Sequence, residues 1–212
     1  MVYRKCFVIV GAGDLSSSDL NALKKEDGFI TAADGGYLPL LQAGIQPDLI
    51  IGDFDSAKIP ETGVELIRLP VVKDDTDMVY CVKEGLKRGY RSFRLYGALG
   101  GRRISHTIAN LQLLSMIHQK GAEGDIVSDS VRVFLMNAGD TRVFSKELKG
   151  TVSFFSISDR AILTLKGLDY ELERGELRRD FPLGVSNHFI GQEAQAEVFE
   201  GEVLGIVEEG MM

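Results

Sequence analysis

The chain has 212 residues, of which 44% are hydrophobic, and this length suffices for one large domain or two small ones with a well-formed core. Its 31 acidic residues outnumber its 24 basic ones, and the formal net charge of -7 argues against a general nucleic-acid binder, which needs a basic face. No stretch approaches the roughly 20 apolar residues of a membrane-spanning helix, so a soluble protein is expected.

The first predicted element is a strand formed by the apolar run from Cys6 to Val10. This run is too short for the core of a secretion signal, and glycine residues follow it instead of a cleavage site. The two cysteines of the chain, Cys6 and Cys81, both lie in apolar segments, which predicts packed thiols in a reducing compartment and not a disulfide framework. A cytoplasmic location is therefore expected.

Short aliphatic runs alternate with helical patterns through the first half of the chain. This alternation predicts crossover connections and a mostly parallel sheet. Ligands of such sheets bind at the carboxyl ends of the strands. Four of the predicted strand ends carry glycine or aspartate clusters, at 11–14, 34–36, 52–55 and 97–102. The residues that could do chemistry are therefore expected along one edge of the sheet.

Two helices are predicted in this half from apolar residues at helical spacing. In the first, Met78, Val82 and Leu86 recur every four positions, and Gly89 stands where a C-terminal cap belongs. In the second, Ile108, Leu111 and Leu114 form a similar stripe. The candidate N-caps of this second helix are Ser105 and Thr107.

The pattern changes after about residue 129 to short β-type runs separated by turn residues. Strands at this spacing are typical of an antiparallel sandwich. We therefore place a boundary near Ser130 and predict an α/β fold in two parts. A mostly parallel α/β domain is expected over 1–130, followed by an antiparallel β-sandwich over 131–212.

Carboxylates are concentrated between Asp53 and Asp77. Asp53 and Asp55 directly follow a predicted buried strand, and residues two apart in extended backbone point to the same side. Two like charges about 4 Å apart repel each other, so a neutralising cation is expected beside the two carboxylates. Asp74, Asp75 and Asp77 follow the next strand, and Mg²⁺ prefers such hard oxygen ligands together with substrate phosphates. The alternative for Asp75 and Asp77 is that they simply stabilise the start of a helix.

Two glycine-rich segments could contact phosphate. The segment GAGD at 11–14 lacks the third glycine of a dinucleotide fingerprint, and it could either present backbone N–H groups to a phosphate or form a plain tight turn. The segment GALGGRR at 97–103 places Arg102 and Arg103 before a helix, where arginine can bind phosphate oxygens bidentately. His106 follows at the start of that helix and could also touch a ligand. No zinc-type His/Cys spacing and no GxSxG nucleophile motif is present.

Taken in order, these segments resemble the thiamine pyrophosphokinase (thiamine diphosphokinase) family. The matching segments are AADGG at 32–36, GIQPDLIIGDFDS at 44–56, KDDTD at 73–77, GALGGR at 97–102, HTIAN at 106–110, LKGLDYEL at 165–172 and GVSN at 184–187. Each segment alone is weakly specific, but their order along the chain is highly specific. The resemblance implies an ATP- and Mg²⁺-binding catalytic domain over 1–130, a thiamine-binding sandwich over 131–212, and a homodimer with active sites near the subunit interface.

The resemblance also implies a reaction and the residues that serve it. The enzyme would transfer a diphosphate group from ATP to the hydroxyl of thiamine, giving thiamine diphosphate and AMP, with Mg²⁺ held by a carboxylate cluster. The implied metal ligands are Asp53, Asp55 and Asp77, and these three with Arg102 form the implied catalytic set. The implied ATP-binding residues are Asp34, Gly35, Asp75, Thr76, Arg102 and His106. The implied thiamine-binding residues are Asp77, Tyr170, Ser186 and Asn187.

Two points about the thiamine site stay open at this stage. The chain has no tryptophan, so an aromatic ring that stacks on thiamine must come from a residue such as Tyr170 or Phe189. The alternative for Ser186 and Asn187 is a turn pair that makes local hydrogen bonds.

One segment departs from the family pattern. The family usually has Gly-Gly-Arg, one residue and then Asp-His, whereas this chain has an extra residue before His106 and places Ser105 where the aspartate is expected. Because fewer charged ligands lower the affinity for a hard cation, this departure predicts weaker Mg²⁺ binding.

Two other functions compete with the family activity. A metal-dependent phosphohydrolase or a nucleotide-sugar transferase could use the DxD at 53–55, although hydrolases with an aspartyl nucleophile place that motif after the first strand, where this chain has Asp14. A non-catalytic thiamine- or nucleotide-binding module is the third candidate, and the serine at position 105 favours it.

Overall fold

The computed structural model describes residues 6–54, 63–72, 74–101 and 103–210, and all structural statements below concern those residues. The contacts divide the chain into two compact units, unit 1 at Met1–Asp129 and unit 2 at Ser130–Met212. Among the described residues, no helix combines the length and the apolar character that crossing a membrane requires.

Unit 1 alternates strands and helices around a parallel sheet. Its strands are β1 (Phe7–Val10), β2 (Phe29–Ala33), β3 (Leu49–Gly52), β4 (Glu65–Arg68), β5 (Ser92–Tyr96) and β6 (Glu123–Ser128). Its helices are α1 (Ser17–Leu23), α2 (Tyr37–Gln42), α3 (Asp77–Lys87) and α4 (Ile104–Gln119), with a 3₁₀ turn at Asp34–Gly36. The strand order is β6-β5-β1-β2-β3-β4, and every pairing in it is parallel. The predicted parallel sheet is confirmed.

Complete burial of the central strands explains why their sequences are unbroken apolar runs. Every residue of β1 and of β3 is buried. Continuous burial of this kind is typical of parallel strands that are covered on both faces. A strand of this type cannot carry polar groups along its length, so the polar residues of unit 1 collect at the strand ends.

Helix α3 forms as its sequence predicts. The Thr76 side chain caps it by accepting the N–H of Val79 at 3.3 Å. Met78 and Val82 are buried, and the chain leaves the helix through Gly89, whose φ is 91°. Glycine adopts this left-handed conformation without the steric cost that other residues incur.

The N-terminal half of α4 differs from the prediction in two respects. Arg103 is the N-cap and makes no side-chain capping bond, so neither Ser105 nor Thr107 caps the helix. Ile108, predicted as part of the buried stripe, is 53% exposed. The residues of α4 that are buried are Asn110, Leu113, Leu114 and Ile117. Because α4 carries apolar residues on more than one face, its periodicity alone does not determine which face packs on the sheet.

Both cysteines lie in unit 1 as buried thiols. Neither Cys6 nor Cys81 forms a disulfide. Burial raises the pKa of the Cys81 thiol well above its ordinary value, and the nearby Asp77 carboxylate raises it further. A thiol with a raised pKa is a poor nucleophile at neutral pH. The prediction of packed thiols outside a disulfide is confirmed for both cysteines.

Unit 2 is a sandwich of two antiparallel sheets. Its strands are β7 (Val131–Asn137), β8 (Thr141–Phe144), β9 (Gly150–Ser156), β10 (Arg160–Lys166), β11 (Leu172–Arg178), β12 (Gly184–His188), β13 (Ala194–Glu200) and β14 (Glu202–Glu209). One sheet has the order β12-β9-β14-β7 and the other β11-β10-β13-β8. A single apolar core includes Phe154 of the first sheet and Leu163 of the second. The predicted fold class, a mostly parallel α/β domain followed by an antiparallel sandwich, is confirmed.

Strand β12 was not predicted from the sequence. Its residues, GVSNH, lack the apolar alternation of a half-buried strand because β12 lies at the edge of its sheet and is mostly exposed. Its pairing with β9 is irregular between Gly184 and Asn187, and Ser186 within it has a φ of 56°. An edge position tolerates this irregularity because the outer side of the strand pairs with no other strand of the sheet.

Candidate active site

A cleft of about 450 Å³ opens at the carboxyl ends of the unit 1 strands. Its lining comes from the turns after β1 and β5, from the end of β2, and from the first turns of α3 and α4. Three of the four glycine or aspartate clusters that the sequence singles out contribute to it, namely those beginning at Gly11, Asp34 and Gly97. The expectation that these clusters meet at one edge of the sheet is confirmed for these three.

The turns after β1 and β5 pack backbone against backbone. The N–H of Gly11 donates to the carbonyl of Tyr96 at 2.8 Å, and that of Gly13 donates to the carbonyl of Gly97 at 2.9 Å. A Cβ atom on Gly13 would lie 2.4 Å from the Gly97 oxygen, which is closer than any side chain tolerates. These two N–H groups are therefore used within the protein, which favours the tight-turn interpretation of GAGD over direct phosphate binding.

Two side chains hold the turn after β5, one at its tip and one at its base. The N–H of Gly101 donates to Oδ2 of Asp14 at 2.8 Å. The side chain of Asn110, which is buried, donates from Nδ2 to the carbonyl of Ala98 at 2.8 Å. The sequence could have predicted the Asn110 contact, because an asparagine in an apolar helix is buried and a buried amide needs a hydrogen-bond partner. Asp14 lies in the predicted cluster at 11–14, but no local pattern indicated its contact with Gly101, because the two residues lie 87 positions apart.

Two aspartates place carboxylate oxygens in the cleft. Asp34 and Asp77 both line it, and Oδ1 of each is buried. Asp34 has a φ of 44°, and its Oδ1 would lie 3.2 Å from a Cβ on Gly52, so its side chain is directed towards the end of β3. Gly35 packs beside Ala12, another lining residue. The cleft therefore combines acidic side chains with backbone that approaches closely.

The segment after β3 corrects one step of the sequence argument. Phe54 is buried and has a φ of 56°, so the backbone between Asp53 and Asp55 is not extended. The inference that these two side chains point to the same side assumed an extended backbone, which Phe54 does not have, and it stays a prediction because Asp55 lies outside the described residues. Asp53 is half-buried, whereas Asp55 and Arg102 lie outside the described residues.

The described carboxylates fit a magnesium ion, although they do not complete the predicted ligand set. No group of three His, Cys, Asp or Glu side chains within the described ranges is arranged to hold a metal. The set of Asp53, Asp55 and Asp77 stays a prediction because one of its members is not described. Mg²⁺ usually takes one or two protein carboxylates and obtains its remaining oxygens from phosphates and water, and Asp34 and Asp77, which both line the cleft, are carboxylates of the kind that this mode uses.

The start of α3 separates the predicted ATP-binding residues into two groups. Thr76 lines the cleft and also caps the helix. Asp75, which precedes α3, instead forms an ion pair with Lys83 of that helix. Asp75 is not among the lining residues. The structural alternative for Asp75 is thus supported by a contact, whereas Asp77 belongs to the cleft.

The start of α4 directs two nitrogen-bearing side chains into the cleft. His106, a predicted ATP-binding residue, lines it, and so does Arg103, the neighbour of the predicted Arg102. Ser105 is exposed and is not among the lining residues. The position at which the family usually has an aspartate therefore carries no cleft-lining group here.

In unit 2, the predicted thiamine-binding residues differ in exposure. Tyr170 is 70% exposed, and Ser186 is also exposed on β12. The backbone N–H of Ser186 donates to Oγ of Ser153 at 2.9 Å. Phe189 is half-buried and packs against the Phe144 ring at a centroid distance of 5.5 Å. Of the two aromatic candidates, Tyr170 is thus the exposed one.

Asn187 plays a different part from Ser186. It is 7% exposed, and its side-chain amide bonds the backbone of Tyr170 at both ends. Oδ1 accepts the Tyr170 N–H at 2.9 Å, and Nδ2 donates to the Tyr170 carbonyl at 2.6 Å. The amide is therefore occupied by a contact that fixes the turn before β11, and this contact, 17 residues away along the chain, is not the local hydrogen bonding of the turn-pair alternative.

Comparisons with known proteins match both halves of the chain. The family model described as the thiamin pyrophosphokinase catalytic domain matches residues 20–124. The model described as the thiamin pyrophosphokinase vitamin B1 binding domain matches residues 141–201. A curated relative, the thiamine pyrophosphokinase of Bacillus subtilis (strain 168), is 26% identical over 190 residues, which are 86% of this chain and 88% of the relative.

Solved structures agree with the family models. The thiamine pyrophosphokinase crystal structure from Bacillus subtilis superposes with a TM-score of 0.85 at 25% identity and covers 98% of this chain and 100% of its own. The thiamin pyrophosphokinase structure from Geobacillus thermodenitrificans has a TM-score of 0.82 at 27% identity. It covers 96% of this chain and 97% of its own. The thiamin pyrophosphokinase from Candida albicans shares the fold, with a TM-score of 0.79 at 17% identity. That match covers 97% of this chain and 90% of the Candida albicans chain. The two family models together match most of the chain, and the protein therefore belongs to the thiamin pyrophosphokinase family, the enzymes that make thiamine diphosphate from thiamine.

Proposed function

We propose that this protein transfers a diphosphate group from ATP to the hydroxyl of thiamine and releases AMP, with Mg²⁺ as its cofactor. The observation that carries the proposal is the composition of the unit 1 cleft. It joins the buried carboxylate oxygens of Asp34 and Asp77 to two side chains that can donate hydrogen bonds, those of Arg103 and His106. A magnesium-bound polyphosphate requires both kinds of group, because carboxylates bind the cation and nitrogen donors bind the phosphate oxygens.

We assign the cation to the carboxylates at the ends of β2 and β3 and at the start of α3. Asp53, Asp55 and Asp77 remain the proposed ligands, and the position of Asp34 in the cleft supports adding it to the group. When bound, Mg²⁺ supplies charge neutralisation on the phosphate oxygens. The work of the carboxylates is therefore to hold positive charge where the polyphosphate lies.

The protein's own contribution to the reaction is positioning. The thiamine hydroxyl oxygen attacks the β-phosphorus in line and its proton is released to water, while the bond from that phosphorus to the AMP oxygen breaks and AMP leaves with the electron pair. Arg103, together with Arg102, binds phosphate oxygens, and His106 donates a hydrogen bond from the same helix. The N-terminus of α3, capped by Thr76, adds a favourable field for an anion.

We propose that unit 2 binds thiamine through the exposed side chains of Tyr170 and Ser186, and that the buried Asn187 positions Tyr170. Tyr170 offers an aromatic face, and Ser186 offers a hydroxyl. Asn187 acts indirectly, because its amide fixes the Tyr170 backbone by two hydrogen bonds. The role of Asp77 towards thiamine rests on the family resemblance.

We also propose that the protein is a homodimer. Unit 2 carries several large apolar side chains that are about half exposed or more, namely Tyr170, Phe181, Leu183, Val185 and Ile190. Apolar side chains in this number and proximity along the chain are typical of an interface. Sedimentation velocity of the wild-type chain and of Leu183→Asp tests the assignment, and a monomeric wild type at micromolar concentration contradicts it. The cytoplasmic location stays a prediction from the cysteine pattern.

The deciding experiment is incubation of the purified protein with ATP, Mg²⁺ and thiamine, followed by separation of the nucleotide and thiamine products. We expect AMP and thiamine diphosphate in equal amounts. ADP or inorganic phosphate as the main product would contradict the proposal and favour a phosphohydrolase. Thiamine or ATP binding without turnover would favour the non-catalytic module.

A further inference from the structure

A carboxylate that belongs to none of the family segments, that of Asp14, lies between the two glycine turns of the cleft. It follows the turn after β1 and lines the cleft. Its Oδ2 accepts the N–H of Gly101 at 2.8 Å and would lie 3.0 Å from a Cβ on Gly100. Asp14 therefore contacts two consecutive residues of the turn after β5, at the point where that turn enters α4.

The base and the tip of this turn are held differently. At the base, backbone bonds from Gly11 and Gly13 and the buried Asn110 amide fix residues 96–98. At the tip, Gly100 and Gly101 are both left-handed, with φ values of 70° and 79°. Glycine loses more conformational entropy on ordering than any other residue, so two successive glycines need an external contact to adopt one conformation. A charged acceptor provides a stronger hydrogen bond for that purpose than a neutral one.

We propose that Asp14 is a positioning residue for the phosphate-binding end of α4. By holding the Gly100–Gly101 tip through a hydrogen bond, it sets the direction in which the chain enters α4 and hence the placement of Arg103 and His106 in the cleft. The family pattern brings a carboxylate to this region from α4, where this chain has Ser105 outside the cleft lining. Here the carboxylate comes from Asp14, which follows the turn after β1. This inference rests on the proposed function.

The hydrogen bond, and not the charge, is the effective feature of Asp14. A carboxylate in a phosphate cleft repels the phosphates, so its charge by itself weakens nucleotide binding. The hydrogen bond of Asp14 therefore strengthens nucleotide binding and its charge weakens it, and substitutions can separate the two effects. Asparagine removes the charge and keeps an oxygen that accepts an N–H, whereas alanine removes both.

The experiment compares Asp14→Ala and Asp14→Asn with wild type by steady-state kinetics at saturating Mg²⁺ and thiamine. We expect Asp14→Ala to raise the KM for ATP about three- to tenfold, which is the scale of one lost hydrogen bond, with kcat within about twofold. Asp14→Asn should restore a KM within about twofold of wild type. Asp27→Ala is the matched control, because Asp27 is an exposed unit 1 aspartate that precedes β2, at the end of the strands away from the cleft.

Three results would overturn the assignment. An unchanged KM in Asp14→Ala would show that the tip is ordered without Asp14, and a lowered KM would show that repulsion dominates. Equal damage from alanine and asparagine, with a higher Mg²⁺ requirement, would make Asp14 a charged ligand. If the wild type makes no thiamine diphosphate, the proposed function fails, and equilibrium binding of Mg-ATP to the same variants still tests Asp14 separately.

Discussion

The two units present their candidate functional groups in different ways. In unit 1 the groups lie at the ends of buried parallel strands, and turns that pack backbone against backbone bring them together. In unit 2 they lie on the exposed edge strand β12 and on the turn before β11, where Tyr170 and Ser186 project from the surface. One site is built mainly by the backbone and the other mainly by side chains.

This difference suits the two proposed ligands. A polyphosphate is recognised by N–H groups, cations and helix termini, and all of these require the backbone to be placed accurately. A heteroaromatic vitamin is recognised by an aromatic face and a few hydrogen bonds, which exposed side chains can supply. Substitutions should therefore act through charge and backbone geometry in unit 1 and through side-chain area in unit 2.

The largest effect is expected from removing charge inside the cleft. Asp77→Asn should lower the rate of thiamine diphosphate formation at least about 100-fold, because an interaction of roughly 2.7 kcal/mol in the transition state corresponds to that factor. The free energy of unfolding should fall by at most about 1 kcal/mol, since Asp77 also favours the start of α3. Initial rates and thermal unfolding measure the two quantities.

Asp74→Asn is the control for this prediction. Asp74 is exposed three residues earlier and is not among the cleft-lining residues, yet the charge change is identical. A similar loss of rate in both variants would show that charge near the helix, and not the cleft position of Asp77, controls the reaction.

The next effect tests the backbone packing of unit 1. Gly13→Ala would place Cβ 2.4 Å from the Gly97 oxygen, so the turns after β1 and β5 must separate. We expect a loss of about 1–3 kcal/mol in the free energy of unfolding and a KM for ATP raised about tenfold. Gly35→Ala is the stability control, because its Cβ would meet Ala12 at an ordinary 3.5 Å. Equal unfolding temperatures of the two variants in a thermal scan would refute the packing argument.

A smaller effect is expected on the surface of unit 2. Tyr170→Ala should raise the KM for thiamine about five- to tenfold and leave that for ATP unchanged, because an aromatic contact is worth roughly 0.5–1.5 kcal/mol. Tyr170→Phe keeps the ring and should stay near wild type. Val143→Ala, which removes apolar area at an exposed site on β8, serves as the control. If thiamine kinetics respond to Val143→Ala and not to Tyr170→Ala, Tyr170 does not contact thiamine.

The smallest effect concerns an ion pair of the unit 1 framework. A hydrogen bond from Arg88 lowers the pKa of Glu65, so the folded state keeps this carboxylate ionised at a lower pH than the unfolded state does. The stabilisation is therefore present above the ordinary pKa of about 4.5 and is lost as the pH falls through the lower, folded value. Because Glu65 is 51% exposed, Glu65→Gln should cost at most about 0.5 kcal/mol at pH 7. Urea unfolding at pH 7 and at acidic pH measures the difference.

The control for the ion pair is Glu123→Gln, a substitution of an exposed carboxylate at the start of β6. It should leave the free energy of unfolding unchanged at both pH values. A cost for Glu65→Gln that persists at acidic pH would show that the side chain stabilises the fold by packing and not by its charge.

Several parts of the fold could be predicted because they depend on local patterns. The apolar runs of β1 and β3, the capped α3 with Gly89 beyond it, and the turn-separated strands of unit 2 each follow from neighbouring residues. The order of short segments was specific enough to identify the family. Local patterns failed where packing decides, as at Ile108, which shares the helical period of α4 but faces solvent.

The sequence by itself determined the kinds of groups at the strand ends, since buried parallel strands such as β1 and β3 are apolar along their length and are followed by the polar residues. The tertiary structure alone decided which of these groups meet. Asp14 reaches Gly101 across 87 residues, Asn187 bonds the Tyr170 backbone, and the left-handed Phe54 turns the chain between two aspartates. The physical reason is that such contacts depend on strand order and on single backbone angles, and the spacing of residue types along the chain encodes neither.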